Sequence, residues 1–340
     1  FNPFRIILNR LFIQPAQKYL KQKIDNINSD IIINFTSNKN KVLIFDQKWS
    51  SLAFPGNIYK RLSLYAKDNN KITISIPHGH ITYSNSLIME HHMDIESGKT
   101  SPFLSQDKAY TDYVVFENDI ISERFIDQGT VTSEQSIVLG SSRFSDEWIG
   151  KIRSIIPAHK MPITKGNILK VVWFLSPEKY NVHLVEIERI VKYLSFFPGL
   201  KVLIKPHTRR NSMRFLRSLP SNMEVADESV HSPLLIDWAD LVLFTTTSVI
   251  YDCIKMQKPI LYLKCAHSNK FLSEGLFDSW EINCRDDLRD QIWNLKKDRE
   301  YRTYSKEDAE SFCKEMIEPK GKNVLKLYAN FIQDLVNSSI

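Results

Sequence analysis

The sequence predicts an α/β protein built from two parallel-sheet units, on three observations. Short apolar runs recur, such as Val42–Phe45 and Leu241–Phe244, with the length and bulk of strands buried on both faces. Stretches of helical periodicity alternate with them, as crossovers between parallel strands do. A polar stretch at residues 157–168, holding Pro157, Pro162 and Gly166, splits the alternation into two rounds. The 340 residues accommodate two domains of roughly 150 residues each.

Residues 4–24 set Phe4, Ile7, Leu8, Leu11 and Phe12 at helical spacing, with Arg5 and Arg10 on another face, and Pro15 breaks the stretch. The first round then follows. Val42–Phe45 is a strand, and a helix runs over about Ile58–Ala66. Ile72–Ile76 is a strand that ends in Pro77-His78-Gly79-His80. Tyr113–Phe116 is the third strand, with a helix over about Asp119–Gln128. Ser136–Leu139 is the fourth and ends in Gly140-Ser141-Ser142-Arg143, before a helix from about Asp146 to Ile156.

The second round has strands at Val171–Leu175, Val202–Ile204, Leu241–Phe244 and Ile260–Leu263. A strongly periodic helix covers Asn181–Phe196, another runs from Thr245–Ser248 to about Met256, and the tail from about Arg285 is mostly helical. The expected organisation is a basic segment at 1–40, sheet domains at 41–160 and 161–300, and terminal helices at 301–340. Open parallel sheets bind ligands beyond the carboxyl ends of their strands, which is where the polar clusters fall.

Composition narrows the function. Lys and Arg number 45 against 39 Asp and Glu, a net charge of +6. Residues 1–24 hold five cations and no acid, which leaves the rest nearly neutral and gives no broad nucleic-acid face. Only 10 glycines occur, with no G-x-G-x-x-G or Walker-type loop, so P-loop and typical dinucleotide enzymes are disfavoured. The four cysteines form no C-x-x-C, which fits reduced thiols rather than zinc. No run of 18 apolar residues suits a transmembrane helix. The chain starts at Phe1 without a methionine, as a fragment or processed chain would.

Thr246, Thr247 and Ser248 stand between a buried strand and a helix start, where hydroxyls cap the helix or join its free N–H groups in cradling a phosphate. Asp252, one turn on, is either a ribose ligand or a first-turn acid. Lys205 and His207, with Thr208, Arg209 and Arg210 behind, make a positive strand end that either neutralises a leaving phosphate or is a solvated basic turn. His78 suits acid–base work or phosphate contact, and Gly79 allows close backbone approach.

Ser142 and Arg143 lie at another strand end, where Arg143 can hold a phosphate or carboxylate. Asp146 and Glu147 are candidate catalytic carboxylates, or first-turn acids behind a Ser145 cap, and Glu178 is a rival. His78, His80, His91 and His92 lack a third ligand at recognisable spacing, and no Asp-x-Asp pair occurs, which disfavours a metal site.

The run Ala239-Asp240-Leu241-Val242-Leu243-Phe244-Thr245-Thr246-Thr247-Ser248, followed by Asp252 and Lys258-Pro259-Ile260-Leu261, resembles the donor half of GT-B glycosyltransferases. With Lys205-Pro206-His207 and His78-Gly79 it is similar to enzymes of bacterial surface polysaccharides. Two groups stand out: Kdo transferases using CMP-Kdo, and CDP-glycerol glycerophosphotransferases of teichoic acid synthesis. The Kdo group is the nearer, because Lys205–Arg209 and Gly140–Trp148 resemble its motifs. The resemblance covers roughly residues 40–300.

The resemblance implies a GT-B-like α/β fold, with two Rossmann-like parallel-sheet domains facing a central cleft. It implies a metal-independent transferase, without a cofactor, moving Kdo from a CMP-linked donor to a capsule, O-antigen or related acceptor. Lys205, His207, Arg209, Thr246, Thr247, Ser248 and Asp252 would hold the nucleotide. His78, Gly79, Ser142 and Arg143 would face the acceptor or sugar. Here the histidine follows its proline instead of preceding it, and the acidic motif of sialyltransferases has no match. The catalytic carboxylate and the stereochemical outcome therefore stay open among Asp146, Glu147 and Glu178.

The implied partners are a cytidine nucleotide sugar and a glycan or lipid-linked glycan, with no nucleic acid. The implied location is cytoplasmic, at the inner membrane face. Residues 1–24 would rest on anionic headgroups or pack on a neighbouring element. A glycerophosphotransferase and a non-catalytic assembly scaffold are the alternatives. A GT-B epimerase is disfavoured by the scarce glycine.

Overall fold

The structure, a computed structural model, describes residues 42–46, 58–77, 109–127, 129–164, 166–176, 182–207, 214–269 and 278–338. The amphipathic segment at 4–24 and the candidates His78, Gly79, Glu178 and Arg209 lie outside them.

The first sheet holds β1 (Val42–Asp46), β2 (Ile72–Ile76), β3 (Tyr113–Phe116) and β4 (Ser136–Val138), all parallel and in chain order. Helix α1 (Ile58–Asp68) crosses from β1 to β2 and α2 (Asp119–Asp127) from β3 to β4. Helix α3 (Asp146–Ile155) follows, capped by Ser145 Oγ, which accepts from the Trp148 amide at 3.3 Å.

The second sheet holds β5 (Leu169–Phe174), β6 (Leu200–Lys205), β7 (Met223–Val225), β8 (Leu241–Phe244) and β9 (Ile260–Tyr262). All are parallel, in the order β7-β6-β5-β8-β9. Helices α4 (Leu184–Ser195), α5 (Ser232–Trp238) and α6 (Val249–Lys255) make its crossovers. The alternation along β5 sends Val171 and Trp173 into one core and Val172 and Phe174 into the other, so the strand is apolar throughout. Strand β7 and helix α5 are additions to the sequence reading. In β7 only Met223 is buried and Val225 is 41% exposed, so this edge strand carries no apolar run.

The tail forms α7 (Arg285–Lys297), α8 (Lys306–Phe312), a π-turn at Cys313–Ile317 and α9 (Val324–Ser338). Helix α9 crosses back to the first sheet, where Val324 and Tyr328 share a core with Ile74 and Val115. The crossing is tied down by polar bonds. Ser141 N donates to Ile317 O at 2.8 Å, Asn118 Nδ2 to Met316 O at 3.2 Å and Tyr328 Oη to Gly140 O at 3.0 Å. Gly140 is required here: its φ is +99°, and a Cβ would stand 2.7 Å from Ile317 O.

The two units meet at the segment after β4. The Phe144 ring lies 5.0 Å from that of Tyr251 on α6, and both are fully buried. Arg153 on α3 donates to both carboxylate oxygens of Asp237 on α5, at 2.5 and 2.6 Å. Asp146 accepts from Lys255 on α6 at 2.9 Å. The strand-end segment of the first sheet thus sits against the helix that follows β8. Among the described residues no helix is long and apolar enough to cross a membrane.

Candidate active site

The order of the second sheet reverses between β5 and β8, because the chain winds outward from β5 in both directions. That switch point opens a crevice beyond the strand ends. The register sets its floor: Phe174 pairs with Lys205 on one side and Phe244 on the other. The segments leaving these residues are Leu175-Ser176, Pro206-His207 and Thr245-Thr246. With neighbouring strands about 4.8 Å apart, the outer two lie about 10 Å from each other across Ser176.

Ser176 ties the crevice together. Its Oγ donates to Thr246 O at 2.6 Å and accepts from Thr245 Oγ1 at 2.8 Å, Thr246 Oγ1 at 2.7 Å and Thr246 N at 3.1 Å. All three residues are buried. The Thr246 hydroxyl is therefore turned into the protein, where it shapes the loop. Thr247 and Ser248 are half-buried. Thr247 Oγ1 accepts from Val249 N at 3.3 Å, whereas Ser248 makes no side-chain cap although it holds the N-cap position. The one side-chain bond to the helix start among the described residues thus comes from Thr247, which precedes the N-cap.

Ser176→Ala removes the common partner of two buried hydroxyls. Each hydrogen bond lost is worth about 0.5–1.5 kcal/mol net, and a loss of at least that size is expected in a denaturant titration of the variant. An unchanged midpoint would show the cluster to be energetically idle.

Lys205 closes β6 and is 8% exposed. Its Nζ donates to Asp227 O at 2.9 Å and Glu228 O at 3.0 Å, so it clamps the loop after β7 to the strand end. Burial pushes its pKa down, against the pull of Asp227 and Glu228. His207 is half-buried two residues further along.

From the first unit, Arg143 is exposed with its guanidinium 5.4 Å from the Phe144 ring centre. It faces Asp252 closely enough to oppose the effect of burial, which raises that carboxyl to about 6, and Arg153 acts the same way. Asp252 is thus the described candidate acid whose environment lifts it toward neutrality. Ser142 begins a 3-10 turn, and its carbonyl accepts from Ser145 Oγ at 3.0 Å. Asp146 and Glu147 stand in the first turn of α3 behind the Ser145 cap. Asp146 is bonded to Lys255, and Glu147 is exposed.

Sequence reasoning missed Ser176 and Glu117. Glu117 follows β3 directly and is 3% exposed, and burial pushes its carboxyl up to about 8. Its signal was an acid immediately after a buried strand, Phe116-Glu117-Asn118. Among the described residues no three His, Cys, Asp or Glu side chains form a metal-holding group.

The solved structure of S. aureus MnaA with UDP aligns with a TM-score of 0.55 and 12% identity, over 92% of this chain and 82% of that one. The fold is GT-B. UDP-GlcNAc 2-epimerase from Neisseria meningitidis, bound to UDP-GlcNAc, gives 0.52 and 12%, over 93% and 82%. A variant of the wall teichoic acid polymerase TagF soaked with CDPG gives 0.52 and 14%, over 88% and 71%. No protein-family model and no curated protein matches the sequence. At these identities the likeness is one of fold alone.

Proposed function

We propose that this chain is a GT-B transferase of bacterial surface-polymer synthesis, moving a group from a cytidine-linked donor to a glycan acceptor. The observation that carries the reading is the level alignment of Pro206-His207, Ser176 and Thr245–Ser248 at the switch point of the second sheet, with Arg143 and Asp252 at the adjoining joint. The nucleotide phosphate would lie against His207, Thr247 and Ser248, and the sequence offers Arg209, two residues after His207, as a further cation for it. Lys205 would add its charge and its third N–H while two hold the loop at 227–228, and Thr246, whose hydroxyl donates to Ser176, would add to the shape of the phosphate loop.

Asp252 would accept the ribose hydroxyls as a carboxylate. Ionised above about pH 6, it loses that capacity as pH falls, so nucleotide affinity is expected to drop on acidification through about 6. A titration series from pH 7.5 to 5 with Asp252→Asn alongside checks this; an equal drop in the variant would assign the effect elsewhere. His78 and Gly79 would face the acceptor with Ser142 and Arg143. The catalytic carboxylate is one of Asp146, Glu147 and Glu178. Of these Asp146 is already paired with Lys255, which favours the other two as a free base.

Kdo from CMP-Kdo is the donor group that the motifs at Lys205–Arg209 and Gly140–Trp148 favour. Glycerol phosphate from CDP-glycerol is the second reading, favoured by the likeness to TagF, whose structure was solved after a CDPG soak. The enzyme would work without a metal, in the cytoplasm, with the basic segment 1–24 on the inner membrane face. CMP release separates the readings: CMP-Kdo alone supports the first, CDP-glycerol alone the second. UDP-GlcNAc converted without an acceptor would replace both by an epimerase. Deleting residues 1–24 should abolish co-sedimentation with anionic liposomes if the segment is the membrane contact.

A further inference from the structure

A cavity of about 700 Å³ opens where α3, α6 and the tail converge. This falls in the range of small-molecule sites. It lies at the carboxyl end of α6, lined by Ile254, Lys255 and Gln257, whereas the proposed nucleotide site lies at the amino end. Seven residues at 1.5 Å each separate the two by about 10 Å. None of the residues proposed to hold the nucleotide lines the cavity, and of the catalytic candidates Asp146 alone reaches it, so the cavity adjoins the crevice of the second sheet without being part of its nucleotide site.

Its wall has two chemistries. The floor is a three-membered ion group: Lys255 Nζ bonds Asp146 at 2.9 Å and also the Glu318 carboxylate. Glu318 is 4% exposed and the Lys255 side chain 9% exposed, so this pair is built into the protein, while Asp146, at 61% exposed, closes the group on the solvent side. The rim is cationic, with Arg302, Lys306, Lys314 and Lys322. Lys306 faces Glu310 at 3.8 Å, and Arg302 donates to the Arg299 and Tyr301 carbonyls. Lys314 and Lys322 are exposed and carry no ion pair among the described residues. Gln257 adds an amide at φ +53°, a left-handed position where glycine would be easier, so its side chain stands on the wall against a backbone cost.

We propose that this cavity is a second ligand site, for a hydroxyl-rich phosphorylated small molecule, a sugar phosphate being the simplest member. The free cations of the rim match a phosphate group. The floor carboxylates and the Gln257 amide supply acceptors for hydroxyls, which a bare anion would not use. The wall comes from α3 of the first unit, α6 of the second and the tail that returns between them. A bound ligand would therefore brace the joint beside the proposed crevice.

Calorimetry on the full chain tests this with glucose 6-phosphate, glucose and inorganic phosphate as probes. Glucose 6-phosphate should bind more tightly than either comparator. The exposed pair Lys314→Ala/Lys322→Ala should weaken it at least tenfold, with the circular dichroism spectrum and CMP affinity unchanged. His207→Ala should leave the sugar phosphate unaffected. No heat with glucose 6-phosphate would overturn the proposal. So would unchanged affinity in the double variant, or loss of binding in His207→Ala with the double variant intact, which would place the anion in the crevice.

Discussion

His207→Ala should lower group transfer by a factor of about 10²–10³, the usual loss when one preorganised donor to a developing anion is removed. His207 leaves β6 on one side of Ser176, and Thr245–Ser248 leaves β8 on the other, so the histidine borders the crevice where the donor phosphate would sit. It is half-buried and outside the apolar cores, so the variant should keep the wild-type fold, as read by its circular dichroism spectrum. Wild-type turnover in a folded variant would remove the phosphate assignment.

Glu117→Gln is expected to stabilise the protein at neutral pH. Glu117 lies beneath the returning tail, and its Oε1 has no hydrogen-bond partner. The titratable group facing it from α9 is Tyr328, whose hydroxyl is bonded to Gly140 O. Desolvation raises the carboxyl to about 8 from an ordinary 4.5, with a bond from its own backbone opposing this. A carboxyl raised in the folded state binds more protons folded than unfolded between those two values. Wild-type stability should therefore fall as pH rises from about 4.5 to about 8. At pH 7 the loss from this group is about 3 kcal/mol, an upper figure because water entry relieves buried charge. Glutamine keeps the shape without the proton, so the variant should be more stable at pH 7 and lack that slope. Equal slopes in the two proteins would show that Glu117 does not hold its proton.

The strands of both sheets were legible because parallel strands buried on two faces are apolar throughout, as in Val171–Phe174 and Leu241–Phe244. Met223–Val225 was not, since an edge strand of three residues with an exposed valine has no such run. The crevice was legible in outline, because polar residues closing buried strands are conspicuous. The direction of each side chain was not. Lys205 and Thr246 read as phosphate ligands in the sequence, and the fold adds partners that no local pattern shows: the loop at 227–228 for Lys205 and Ser176 for Thr246. Both partners lie 22 or more residues away in the chain, beyond any local pattern. The return of α9 to the first sheet was hidden for the same reason. Its apolar face marks a helix that packs on something, and only the fold shows that Ile74 and Val115 receive it.

The central claim is that the switch-point crevice of the second sheet binds a cytidine nucleotide. Titrating CMP into the wild-type chain and into Ser248→Ala, with UMP as comparator, tests it most directly. Saturable CMP binding is expected, weaker for UMP and weakened at least fivefold by the substitution. No heat with CMP in the folded wild type, or CMP binding that Ser248→Ala leaves untouched, would contradict it.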